Sequence, residues 1–267
     1  PIARIINRIE HIASGDFSYD PLIEGDDELG QIGKGINLMS KDLKKWIETS
    51  LEHERLKKNY EFKMLQNQIN PHFLYNTLNS IKWMGSMQRS TGIVEVTTAL
   101  INMLRKVSKI DTETITIEEE LKFISDYATI QKYRYGNMFT VEYNVEKQEL
   151  YQAKIIKFSL QPLVENAIFH GIEPKNKPGK IKINIYTDKE NGDVLLIEVI
   201  DDGVGLLPDE LAELNKRLHT IEDNTASIGL PNIHQRIVME YGDQHGLSIK
   251  SEKDKYTCVT MRLPLIY

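Results

Sequence analysis

Gln161-Pro-Leu-Val-Glu-Asn-Ala-Ile-Phe-His-Gly171 reads as a helix that is apolar almost throughout, interrupted at Glu165 and Asn166. Unpaired carboxylate and carboxamide groups on such a surface are costly, so a ligand is one thing they can be there to meet. A carboxamide oxygen suits a hard cation such as Mg²⁺, which takes oxygen ligands and bridges phosphates. A capping or solvent-facing Asn would look the same, and the segment alone leaves the choice open.

Two segments further along narrow it. Ile200-Asp-Asp-Gly-Val-Gly-Leu206 follows a strand-like run. A carboxylate at the end of that strand, Asp201, can accept a hydrogen bond from an exocyclic amine such as that of adenine. Gly203 and Gly205 let a ligand approach the backbone closely. In Ser227-Ile-Gly-Leu-Pro-Asn-Ile-His-Gln-Arg236, Gly229 and Leu230 open a helix. Free N–H groups and positive potential at such an end favour phosphates. Between them, Pro208 to Ala226 carries acidic residues and is expected to cover the ligand as a lid. Singly these are an Asp-Gly turn and a helix start. In this order they outline a nucleotide site, although neither a Walker A loop nor a protein-kinase glycine loop occurs.

The surrounding pattern predicts a helix over 116–135 with a capping box from Thr116 to Glu119, and another over 157–170. Further helices are expected over 208–219 and 230–241. Strands are expected over 139–145, 180–186, 194–200, 247–251 and 256–263. With mostly hairpin-length links among the later strands, this is a helix layer on one sheet.

Upstream, Gln68-Ile-Asn-Pro-His-Phe-Leu-Tyr-Asn-Thr-Leu-Asn-Ser-Ile81 places His72, Asn76 and Asn79 on one helix face. Leu74, Leu78 and Ile81 fall on the opposite one. Pro71 supplies no N–H and its ring clashes with the Asn67 carbonyl, so the helix should open just before His72. An outward imidazole is a competent nucleophile near neutrality, its ordinary pKa being about 6.5. A solitary histidine is more often structural, and that reading stands for His11, His53, His219, His234 and His245. No second ligand sits at metal spacing from His72. One long helix is expected from Trp46 to Met87 with a defect at Pro71, then a turn over 85–92 and a second helix over 93–110. Two such hairpins would make a four-helix bundle.

At the N-terminus Ile2, Ile5, Ile9 and Ile12 form one heptad stripe, and Leu29, Ile32, Ile36, Met39, Leu43 and Trp46 another. Stripes this narrow suit a coiled-coil seam, most simply with a second copy of the chain; a hairpin folded onto the rest of the chain is the plainer alternative.

Composition sets the bounds. In 267 residues, 33 Lys+Arg face 39 Asp+Glu for a net charge of -6, with 40% hydrophobic and 27% charged residues. These values exclude collagenous and disordered classes. A nucleic-acid binder would carry a basic face. One cysteine, Cys258, excludes a disulfide framework and a Cys-based zinc site and fits a reducing compartment. The longest apolar runs are too short to cross a bilayer. Beginning at Pro1 rather than Met, the sequence is expected to be a piece of a longer chain.

From end to end the chain resembles sensor histidine kinases of the LytS/YesM type. Asn70-Pro-His-Phe-Leu-Tyr-Asn76 is similar to that family's phosphoacceptor box, and Gln161 to Gly171 to its N box. Asp201-Asp-Gly-Val-Gly205 and Gly229 to Arg236 resemble its two glycine boxes. Pro1-Ile, Gly15-Asp-Phe17 and Asp27-Glu-Leu-Gly30 resemble a HAMP signal-transmission module.

The resemblance implies an α plus α/β multidomain chain. Its parts are a parallel coiled-coil HAMP over 1–47, a dimeric phosphotransfer hairpin over 48–112 and an α/β-sandwich ATP-binding domain over 113–267. His72 would be phosphorylated, and Asn76 would orient water for dephosphorylating the partner. Asn166 would hold Mg²⁺ against the phosphates of ATP, Asp201 would bind the adenine amine, and Gly203 and Gly205 would flank the pocket. Gly229 and Leu230 would lie at the phosphate end of the lid, with Glu165 and His170 as secondary contacts. Implied partners are a second copy, the receiver domain of a response regulator and, through an upstream segment, a bacterial plasma membrane, with this part in the cytoplasm; no nucleic acid is expected. Two departures stand out. Phe73 follows His72 where commoner histidine kinases carry an acid, an absence this family shares, and Ser227 stands where a glycine is frequent. A related ATPase, or a nucleotide-binding dimeric scaffold without phosphohistidine chemistry, are the alternatives.

Overall fold

The two N-terminal isoleucine stripes fold as helices α1 (Ile2–Ala13) and α2 (Glu28–Gln68). The computed structural model describes residues 2–68, 71–108, 113–188, 192–219 and 229–267. The chain divides into two units, Pro1–Asn70 and Pro71–Tyr267.

In the first unit the connector runs back along α2. Buried Arg8 donates to the Ser18 carbonyl and, at 3.5 Å, to Ser40 Oγ. Asn37 donates to the Asp20 carbonyl at 2.8 Å, and the Ile23 carbonyl lies against Gly33, where a side chain has no room. Connector residues of rising number thus meet α2 residues of falling number. Arg4 and Ile5 share a cavity with Asp27 and Leu29, so α1 and α2 run parallel. Ile12, Ile23 and Ile36 form the small buried cluster between them. Ile2, Ile9, Ile32, Met39, Leu43 and Trp46 of the stripes are exposed, Trp46 at 76%.

Helix α2 passes through Trp46 without interruption to Gln68, and α3 (Pro71–Met87) carries His72. The expected opening before His72 falls on 69–70, outside the described residues.

In the second unit α3 turns through Arg89, in the left-handed region at φ 55°, into α4 (Thr91–Ser108). Ser90 N–H closes the turn on the Gly85 carbonyl at 2.9 Å. Strand β1 (Thr114–Thr116) leads into α5 (Ile117–Arg134), and the expected capping box is present. Glu119 N–H donates to Thr116 Oγ1 at 3.2 Å, and Thr116 N–H to Glu119 Oε2 at 3.1 Å. Helix α4 lies against α5: Tyr133 OH donates to Glu95 at 2.7 Å, Asn102 to Asp126 at 3.2 Å, and Lys106 Nζ to the Glu119 carbonyl at 2.6 Å.

A five-stranded sheet follows in the order β2-β4-β5-β7-β6. Its strands are β2 (Phe139–Val145), β4 (Gly179–Thr187), β5 (Val194–Asp201), β6 (Gly246–Glu252) and β7 (Tyr256–Pro264). Strand β2 pairs parallel to β4, a crossover the hairpin-length expectation lacked; the other pairs are antiparallel. A small second sheet pairs β1 with β3 (Lys154–Ile156), each only three residues and too short to show a periodicity. One sheet face buries Ile181, Ile183, Ile197, Val259 and Met261 against α5, α6 (Gln161–Asn166) and α8 (Leu230–Tyr241). The other face is polar, with Glu142, Lys182 and Lys250 exposed. Helix α7 (Pro208–His219) packs Leu214 and Leu218 beside this core.

The expected helix over 157–170 starts late. Residues 157–160 form a turn with Phe158 at φ 60°, and the helix begins at Gln161. After Asn166 it widens into a π-helical turn, Ala167–Ile172. Such widenings concentrate at functional sites.

Candidate functional site

The π turn brings the Gly171 carbonyl to the Val204 N–H, which donates to it at 3.1 Å. That bond ties the helix carrying Asn166 to the glycine turn after β5. Any side chain at Gly171 would strike the Asp201 carboxylate. Gly205, at φ 58°, leaves no room for a side chain beside the Glu252 carbonyl. Bare backbone is therefore required where the two segments meet.

These elements enclose a cavity of about 510 Å³ lined by Asn166, His170, Gly171, Asp201 and Gly205, with Thr257 on the opposite strand. Thr257 pairs with Asp201 across the β5–β7 ladder. Glu210, Glu213 and Arg217 of α7 supply one wall, and Lys253 adds a second cation. Gly203 stands behind the site, its N–H donating to Asp201 Oδ1 at 2.9 Å. Burial pushes the Asp201 carboxyl up to about 7; the Gly203 N–H opposes the rise and the neighbouring Asp202 charge adds to it. Asp202 is itself held by Lys175, at 3.1 Å from Nζ to Oδ1.

Glu165 does not line this cavity. It accepts from Gln161 Nε2 at 2.8 Å and faces Tyr127 of α5, whose hydroxyl is raised chiefly by burial and then by the Glu165 charge. Gly229, at φ 157°, and buried Leu230 begin α8, and neither is among the cavity-lining residues. Ser227 and the lid beyond His219 lie outside the described residues. His234 behaves structurally: it is buried and its Nδ1 accepts the Leu247 N–H at 3.0 Å.

His72 projects from the start of α3 into solvent, with Asn76 one turn on. The Asn76 carboxamide nitrogen stands 3.4 Å from both ring nitrogens.

For Mg²⁺ the donor chemistry fits. Half-buried Asn166 offers a single hard oxygen to the cavity. That is the sparse protein contribution Mg²⁺ takes when phosphates and water complete its shell. Among the described residues no group of three or more His, Cys, Asp or Glu forms a cage. Sequence reasoning missed Thr257, Arg217 and Lys253. Alternation predicts a strand at 256–263 but not its register, and register is what sets Thr257 against Asp201.

Family models match along the chain: HAMP domain over 1–45, histidine kinase over 60–139, and histidine kinase-, DNA gyrase B- and HSP90-like ATPase over 153–266. Sensor histidine kinase YesM of Bacillus subtilis is 33% identical over 89% of this chain. Sensor histidine kinase BtsS of Escherichia coli K12 is 32% identical over 76%. The chain spans 39% and 33% of the lengths of these two relatives. Among solved structures, the histidine kinase domain from Erythrobacter litoralis EL346 blue-light activated histidine kinase aligns with 73% of this chain and 94% of that one, at 15% identity and TM-score 0.41. The chain belongs to the sensor histidine kinases, in their LytS/YesM type.

Proposed function

We propose that the chain is the signalling and catalytic part of a two-component sensor kinase, which phosphorylates its own His72 from ATP and passes the group to an aspartate of a response regulator. The observation that carries this reading is the convergence of Asn166, Asp201 and bare glycine backbone on one cavity, in a chain that also exposes His72. Asp201, in its carboxylate form, accepts the adenine amine. Asn166 would hold Mg²⁺, which would supply charge neutralisation at the transferred phosphoryl group. Arg217 and Lys253 line the same cavity and bring positive charge to it.

An imidazole nitrogen of His72 attacks the γ-phosphorus in line. An N–P bond forms, the bond to the bridging oxygen breaks, and ADP departs; positioning supplies most of the acceleration. In transfer, the aspartate oxygen attacks the same phosphorus and the N–P electron pair returns to the ring.

The reading divides the chain into HAMP over 1–47, phosphotransfer hairpin over 48–112 and catalytic domain over 113–267. It supplies a second copy for the exposed heptad seams. It also supplies an upstream membrane segment; among the described residues no helix is long and apolar enough to cross a membrane. Titrating the chain with ATP, with and without Mg²⁺, tests the reading: wild type should bind in a Mg²⁺-dependent way and Asp201→Asn should not. Equal binding by both would refute the pocket assignment.

A further inference from the structure

Among the described residues of the second unit, Glu120 is a fully buried carboxylate, at 0% exposure, that the proposed chemistry does not use. It sits on α5 and accepts two backbone N–H groups from the turn before α6: Phe158 at 3.1 Å and Leu160 at 3.0 Å. Leu160 heads α6, and no side chain of that segment caps the helix. A helix start without its own cap leaves donors that must find acceptors elsewhere. Here a carboxylate from another helix provides them. Arg236 of α8 holds the same turn from the far side, its Nη1 donating to the Lys157 carbonyl at 3.4 Å.

Asn166 ends the same short helix, six residues after Leu160, a lever of about 9 Å. Small displacements at the head of α6 therefore reach the carboxamide in the cavity. Asp201 stands on β5, is held by its own Gly203 N–H, and meets the helical segment only at Gly171, five residues further from the turn than Asn166.

We infer that Glu120 is a positioning residue for the phosphate end of the nucleotide site: its carboxylate fixes the turn over 157–160 and thereby aims Asn166. This rests on the nucleotide reading of the cavity. The charged groups facing Glu120 are Lys106 of α4 and Arg236 of α8, which together with the two N–H groups oppose the rise that burial imposes on it. The carboxamide of Gln would keep one acceptor and turn a second donor toward these N–H groups, so Glu120→Gln disturbs the turn with little change of volume.

The experiment compares Mg²⁺-ATP and adenosine as ligands of the whole chain, in wild type, Glu120→Gln and Glu120→Asp, by calorimetry and saturation-transfer NMR. Glu120→Gln should weaken Mg²⁺-ATP by about tenfold or more while leaving adenosine within twofold, because only the phosphate end is displaced. Glu120→Asp, which keeps the charge one methylene short, should recover part of the loss. It also supplies the same ratio should the Gln variant not fold. Equal weakening of both ligands, or no weakening of either, overturns the positioning role. Wild type that binds neither ligand overturns the nucleotide reading itself, and the role falls with it.

Discussion

The Asn76 carboxamide nitrogen lies equally far, 3.4 Å, from Nδ1 and Nε2 of His72. Good N–H···O bonds are shorter, near 2.9–3.0 Å, so contacts this long hold the single lone pair of a neutral imidazole only weakly. An imidazole in that state is oriented and still free to attack.

Asn76→Ala should therefore leave autophosphorylation within about threefold, since no strong bond to the ring is lost. It should slow dephosphorylation of the phosphorylated regulator by about tenfold or more, because the amide that would orient water is gone. Asn76 is exposed, so stability should change by less than about 0.5 kcal/mol. Phosphatase assays beside a thermal melt check both; a variant impaired only in autophosphorylation would contradict this assignment.

On the proposed reading, nucleotide binding depends on pH through Asp201: its carboxyl is raised to about 7, and the carboxylate is a stronger acceptor for the adenine amine than the neutral acid. ATP affinity should fall as pH drops below about 7, by up to about tenfold per unit. Binding near pH 6.5 should release a proton, which calorimetry in buffers of different ionisation enthalpy detects. Stability of the nucleotide-free chain runs the other way. A raised folded pKa gives stability that is complete below the unfolded value and lost as pH rises through about 7. Glu120, also raised to about 7 by burial, adds to the same trend. Proton uptake on ATP binding would be the wrong sign.

Gly171→Ala places a methyl group against the Asp201 carboxylate. Overpacking of this kind costs about 1–3 kcal/mol of stability. ATP affinity should fall by about tenfold or more, because the carboxylate must swing from its place. Unchanged affinity in a folded variant would mean that Asp201 does not contact the nucleotide.

Met39 and Trp46 are 50% and 76% exposed on α2. Converting both to Glu should shift the chain from dimer to monomer in sedimentation equilibrium, since charge on a coiled-coil seam cannot be buried cheaply. Wild type that sediments as a monomer at micromolar concentration would remove the seam's proposed partner.

Much of this was legible in the residues because the signals are local. The capping box of Thr116 and Glu119 is a three-residue spacing, and β5 ends at Asp201 because apolar residues give way to Asp-Gly. What stayed hidden depends on distant parts of the chain. The helix at 157–170 begins late because Glu120, some forty residues upstream, captures the N–H groups of Phe158 and Leu160. Thr257 enters the site through strand register, and the parallel pairing of β2 with β4 leaves no mark on either strand's alternation. Glu165 interrupts the same apolar helix, and its carboxylate accepts the Gln161 amide, a local pairing that the apolar pattern does not announce.

The central claim is that phosphate from ATP comes to rest on His72. Incubating the chain with γ-labelled ATP and Mg²⁺ and then testing acid and base lability addresses it most directly. Wild type should acquire label that is acid-labile and base-stable, and His72→Gln should acquire none. Undiminished acid-labile label on His72→Gln would contradict the account.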